Sequence, residues 1–178
     1  MANALSNAMV PEFSDASTRS VSLVKLRQQS LKLMHWFFPA SIVMLFFSRE
    51  LYPVLFNSDF EKAASIFNIM ILLIICRLVF PQTILLGHGK TRSLLMASSI
   101  EFIIKIVLSF LLIKSLNIYG IALATVAAFL TEKIYLTITV YRKLNIKPAS
   151  YIPLSWLIFY SALLIAAFAF TEYNIIFP

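Results

Sequence analysis

Five ionisable side chains lie inside long apolar stretches of the sequence: Arg77, Glu101, Lys105, Glu132 and Lys133. A charge at the centre of a bilayer costs at least ~2.5 kcal/mol, so such residues turn towards other helices or a water-filled path, where ions and polar substrates travel. Glu101 and Lys105 are four residues apart, the spacing at which two side chains of one helix can pair. Glu132 and Lys133 are neighbours. Arg77 has no opposite charge within its own apolar stretch, which makes it the first candidate for contact with an anionic group. Two readings fit these five residues. They line a hydrophilic cavity that handles a polar or anionic substrate group, or they form an ion-pair network that fixes helix packing.

Other chemistries lack their residues. Cys76 is the single cysteine, so no disulfide can form within the chain, and His35 and His88 are too far apart in sequence for a Cys/His metal cluster. The run Gly87-His88-Gly89-Lys90-Thr91-Arg92 lacks the first glycine of a phosphate loop and joins two apolar segments, so it reads as a basic turn. No nucleophile–base constellation can be assembled. The sequence therefore argues against an enzyme and implies no metal or cofactor.

The elements that must position the five charges follow from composition. Of 178 residues, 60% are hydrophobic and 13% charged, with a mean hydropathy of +0.86. Soluble domains carry about 45–50% apolar and about 25% charged residues, and a globule this small cannot hide such an excess. The fold class is all-α, a polytopic membrane helix bundle. A spanning helix needs about 20 mainly apolar residues, and the sequence offers five: 30–47, 63–86, 94–113, 118–141 and 152–170. Residues 1–29 read as a cytoplasmic connector with an interfacial helix over 16–32, and residues 30–178 as the transmembrane bundle. Pro39 predicts a kink in the first span, and residues 49–62 a half-embedded outer segment broken at Pro53. Counted at 1.5 Å per residue, the five charges lie about 12–18 Å from the span ends, near the midplane of a layer about 30 Å thick.

Two stripes link charge to packing. Ala97, Glu101, Lys105 and Ser109 recur at steps of four, as do Gly120, Ala124, Ala128 and Glu132. Small residues at this spacing let helices approach closely in lipid, so both stripes are expected on protein-facing surfaces near each other. Cations set the orientation. Nine Lys or Arg fall on one side (Arg19, Lys25, Arg27, Lys32, Lys90, Arg92, Arg142, Lys143, Lys147) against three on the other (Arg49, Lys62, Lys114). The richer side is cytoplasmic by the positive-inside bias, which puts the N-terminus inside and the C-terminus outside an inner membrane. Because the basic residues are scattered between apolar runs, the net charge of +7 is not a nucleic-acid footprint.

Several local patterns resemble one family. Met9-Val10-Pro11-Glu12-Phe13-Ser14, Phe60-Glu61-Lys62-Ala63-Ala64, Leu85-Leu86-Gly87-His88-Gly89-Lys90-Thr91 and Ile118-Tyr119-Gly120-Ile121-Ala122-Leu123-Ala124-Thr125-Val126 are similar, in order and spacing, to segments of polysaccharide and O-antigen flippases. That superfamily also holds multidrug and toxin extrusion antiporters and the peptidoglycan lipid-precursor flippase. The resemblance implies a helical bundle of two pseudo-symmetric halves around a cavity, which moves a polyprenyl-phosphate-linked oligosaccharide between leaflets by alternating access. It implies that Arg77 and Lys105 engage the anionic part of that cargo. Since such proteins have twelve to fourteen spans, it implies a C-terminal portion whose partners are the lipid bilayer, the lipid-linked oligosaccharide and a missing N-terminal half. An antiporter fragment for cationic drugs is the alternative, although Arg77, Lys105 and Lys133 outnumber Glu101 and Glu132. A small structural membrane subunit is another.

Overall fold

A computed structural model describes residues 13, 19–55 and 61–176. The segment 9–14 of the family resemblance, apart from Phe13, and residues 56–60 of the outer segment lie outside them. The described residues form an all-α membrane helix bundle. Three of the described helices are long and apolar enough to cross a membrane, and a bent helix pair adds a fourth if it counts as one span.

Helix α1, Arg19–Leu55, runs for 37 residues, about 55 Å. It is continuous from the expected interfacial segment through the first span, and it passes both Pro39 and Pro53 without losing helical assignment. Its apolar part is Val21–Ser48. The length exceeds a hydrocarbon layer about 30 Å thick, so one end projects beyond it.

The second span is broken where the sequence reading had one helix over 63–86. Helix α2, Glu61–Ile71, passes through a turn into the four-residue α3, Ile74–Arg77, and then α4, Pro81–Gly87. The segments Ala63–Arg77 and Pro81–Gly87 meet at 45°. Two local causes act. The backbone tightens to i→i−3 bonds, Leu72 N–H to Ile69 O at 3.1 Å and Cys76 N–H to Leu73 O at 3.0 Å. Pro81 then offers no N–H and disfavours helical geometry at the residue before it; Phe80 accordingly sits at φ −115°, ψ 49°.

Helix α5, Thr91–Leu144, counts 54 residues, about 81 Å if straight. It is not straight. Asn117 has φ 52° and ψ −135°, a left-handed conformation that favours glycine, and the chain folds back there. The fold-back is visible at Gly120, where a Cβ would lie 2.5 Å from the Leu112 carbonyl oxygen, eight residues earlier. It is visible at the far ends too, where Lys143 Nζ donates to Ser93 Oγ at 2.8 Å. The two arms, 91–116 and 118–144, contain the expected third and fourth spans. Gly120, Ala124 and Ala128 are all buried, as is Ala97 on the first arm.

Asn145, at φ 54°, closes the second arm in a left-handed cap. The short α6, Pro148–Tyr151, leads to α7, Leu154–Ile176. One apolar core joins Leu26, Ile84, Leu85, Ala97, Val140 and Tyr151. A second joins Met34, Phe38, Leu45, Leu72, Leu78 and Leu164. The outward faces are apolar as well, with Leu95, Phe102, Phe110, Ile158 and Phe170 exposed. A patch of this extent would be a liability in water and is the normal surface of a helix in lipid.

Candidate functional site

The fold-back brings the charges of the two arms face to face. Glu101 and Glu132 stand 16 and 15 residues either side of Asn117, and Glu101 lies within electrostatic reach of Glu132, Lys105 and Lys133. Lys133 Nζ is 3.4 Å from Glu132 Oε2, with the two side chains 14% and 13% exposed. The same ammonium donates to Gln82 Oε1 at 2.9 Å. Gln82 is the second residue of α4, just past the break in the second span. The network thus ties the broken helix to the hairpin, and its four charges, Glu101, Lys105, Glu132 and Lys133, sum to zero.

Arg77 is not part of it. It ends α3 at the break and is exposed, with its guanidinium carbon 6.0 Å from the centre of the Phe129 ring, within cation–π range. It borders an open groove of about 470 Å³ whose other walls include Phe37 and Ser41 of α1 and Met70 of α2. No carboxylate pairs with Arg77 among the described residues. Cys76, beside it in sequence, points elsewhere: it is buried and shares with Lys133 and Leu130 the wall of an apolar cavity of about 210 Å³. Lys105 and Ser109 border a third groove, of about 380 Å³, between Phe102 and Phe110. The five charges of the sequence reading therefore divide into a compensated cluster of four and one uncompensated arginine.

Three features were not read from the sequence. Gln82 carries no charge and drew no attention, although its place one residue after Pro81 in an apolar run was the available signal. Phe129 is one aromatic among sixteen phenylalanines, and only the turn of the second arm selects it. The third is a buried polar pair. Asn68 Nδ2 donates to Glu172 Oε1 at 2.6 Å, and both residues are fully buried. Glu172 follows the fifth apolar run of the sequence, and α7 carries it inward against α2. The two histidines are structural. His88 Nδ1–H donates to Ile84 O at 2.7 Å, and His35 Nδ1–H donates to Leu31 O at 2.8 Å while packing against Trp156 and Tyr160.

A fold-back hairpin, a broken span and charges near its break are arrangements that transporters use, and comparison with known proteins decides which kind. The family model described as "Lipid II flippase MurJ" matches residues 1–177. The chain belongs to the MurJ lipid II flippase family. No curated protein and no solved structure matches it. Membership makes this a multi-pass membrane protein of a lipid-linked flippase family, and not an enzyme. It also sharpens the resemblance to polysaccharide and O-antigen flippases, because the matched family is the peptidoglycan-precursor branch of the superfamily to which that resemblance pointed.

Proposed function

We propose that this chain contributes the cargo-facing surface of an inner-membrane flippase for lipid II, with Arg77 as its contact for the anionic part of the lipid. The observation that carries the reading is the uncompensated arginine at the break of the second span, open to a groove that α1, α2 and α3 shape. A guanidinium is permanently charged and presents a planar fork of donors suited to phosphate oxygens. Its stacking on Phe129 holds it at the break without neutralising it. The unwound backbone at 78–80 lets the two halves of the span tilt against each other, as broken spans do in alternating access. The Gln82–Lys133–Glu132 contacts then act as the latch between the moving half-span and the hairpin.

On this reading the end that carries Lys143 faces the cytoplasm, and the bundle works with a further helical half across the cavity. The O-antigen repeat unit suggested by the sequence resemblance has the same lipid-phosphate chemistry at its anchored end, so Arg77 alone does not separate the two cargoes. The family description favours lipid II. The test uses the transporter in vesicles with fluorescent lipid II, and scores the fraction that becomes accessible to a membrane-impermeant quencher in the opposite leaflet. Arg77→Gln is expected to slow transfer at least about tenfold, the effect of losing one charge-assisted contact, and Arg77→Lys to retain part of it. Transfer of an O-antigen lipid at the same rate as lipid II would overturn the cargo assignment.

A further inference from the structure

The core that joins Leu26, Ile84, Leu85, Ala97, Val140 and Tyr151 fixes one level of the bundle, and cations ring it. Arg27 follows Leu26 on α1. Lys90 and Arg92 lie between Leu85 and Ala97, Arg142 and Lys143 follow Val140, and Lys147 precedes Tyr151. All six are exposed. They come from three separate parts of the chain, brought together because α4 packs on α5 and α6 packs on α1.

No acid among the described residues offsets them; Glu12 and Asp15, beside the core residue Phe13, lie outside those described. The sequence has no Asp or Glu in residues 19–48, 63–100 or 134–171. Two further details add to the positive field. The N-terminus of α5 begins here with no side-chain cap at Lys90, which leaves its partial positive charge uncompensated. Lys143 is held across the free ends of the two arms by its bond to Ser93, so this ammonium is fixed in place. The level lies at an end of the membrane-crossing helices, where headgroups sit.

We propose that this end of the bundle is a binding collar for anionic phospholipid headgroups, which selects them from the surrounding bilayer. Clustered Lys and Arg at a membrane surface attract anionic lipid, and six exposed cations at one level concentrate that attraction at one belt. The collar is independent of the cargo assignment, since Arg77 is not one of its residues.

Trp156 reports on it. It stands in the first turn of α7, directly after the Tyr151–Ile152 part of the same core, and is 45% exposed. The 178-residue chain carrying Trp36→Phe is reconstituted in phosphatidylcholine vesicles free of any lipid-linked saccharide. Brominated phosphatidylglycerol or brominated phosphatidylcholine then replaces part of the bilayer. The charged lipid is expected to quench Trp156 at about one-third of the mole fraction the neutral lipid needs, with the preference falling as salt rises. Arg92→Gln/Arg142→Gln/Lys147→Gln should bring the ratio close to one, with quenching by the neutral lipid unchanged. Arg92→Lys/Arg142→Lys should keep the preference. Equal quenching by the two lipids in the unsubstituted collar, or a preference insensitive to salt, would overturn the proposal without recourse to the variants.

Discussion

Replacing Lys133 by Met tests whether the clustered charges hold the broken span to the hairpin. In the structure its ammonium is shared between Gln82 Oε1 at 2.9 Å and Glu132 Oε2 at 3.4 Å. Lys133→Met leaves the Gln82 carbonyl without that donor and leaves Glu132 facing Glu101 without the intervening cation. The four-charge cluster passes from zero to −1. Breaking a buried ion pair from one side costs about 3–5 kcal/mol, and stranding a buried acceptor about 1–3 kcal/mol. The two overlap, and the side chains keep 14% and 13% exposure, so a net loss of about 2–4 kcal/mol is expected. The companion Glu132→Leu/Lys133→Met removes both charges and leaves Glu101 with Lys105 but Gln82 still without its donor, so its cost should fall to that of the stranded acceptor, about 1–2 kcal/mol. The assay is a double-mutant cycle on SDS-driven unfolding in mixed micelles, followed by far-UV circular dichroism. A Lys133→Met protein as stable as the parent would refute the reasoning. So would a double variant as damaged as the single one.

Three further outcomes bear on the fold. Asn117→Gly should stabilise the chain by about 1 kcal/mol, by relieving a backbone conformation costly to any residue with a side chain, whereas Gly120→Ala should cost about 1–3 kcal/mol because its Cβ meets the Leu112 backbone; the same unfolding assay reads both. Cysteines at 93 and 143, in a Cys76→Ala background, should be joined within one chain by a short bifunctional thiol reagent, although a straight α5 would hold them about 75 Å apart. Burial pushes the Tyr151 phenol, outside the spans, from 10.0 up to about 12, against a smaller opposing influence from Thr137. The folded state therefore ionises later than the unfolded one. The stabilisation is complete below pH 10 and is lost as pH rises towards 12; Tyr151→Phe should remove that alkaline decline in the unfolding midpoint.

Much of the bundle was legible because lipid imposes a simple rule: about 20 apolar residues make a crossing. A reversal between the third run, ending at 113, and the fourth, starting at 118, was legible too, but Asn117 as its pivot came only with the backbone geometry. The break in the second span was not. Leu78, Val79 and Phe80 are as apolar as the helix around them, so hydropathy passes over the unwound segment, and Pro81 is the sole local mark of it. Charges in apolar runs announced themselves by type, but their partners did not. Gln82 meets Lys133 across 51 positions and Asn68 meets Glu172 across 104. Such contacts depend on how helices rotate and lean, which one helix's sequence does not encode. For the same reason, the separation of Arg77 from the other four charges emerged only with the packing of α3 between α1 and the second arm.

The central claim is that Arg77 is left without a counter-charge so that it can meet an anionic cargo. The most direct measurement is the affinity of lipid II for the transporter in micelles, compared between the parent, Arg77→Gln, Arg77→Lys and Lys133→Gln. The account predicts a loss of about tenfold or more for Arg77→Gln, partial retention for Arg77→Lys, and little change in affinity for Lys133→Gln, whose effect falls on stability. Unchanged lipid II affinity in a folded Arg77→Gln protein would contradict it.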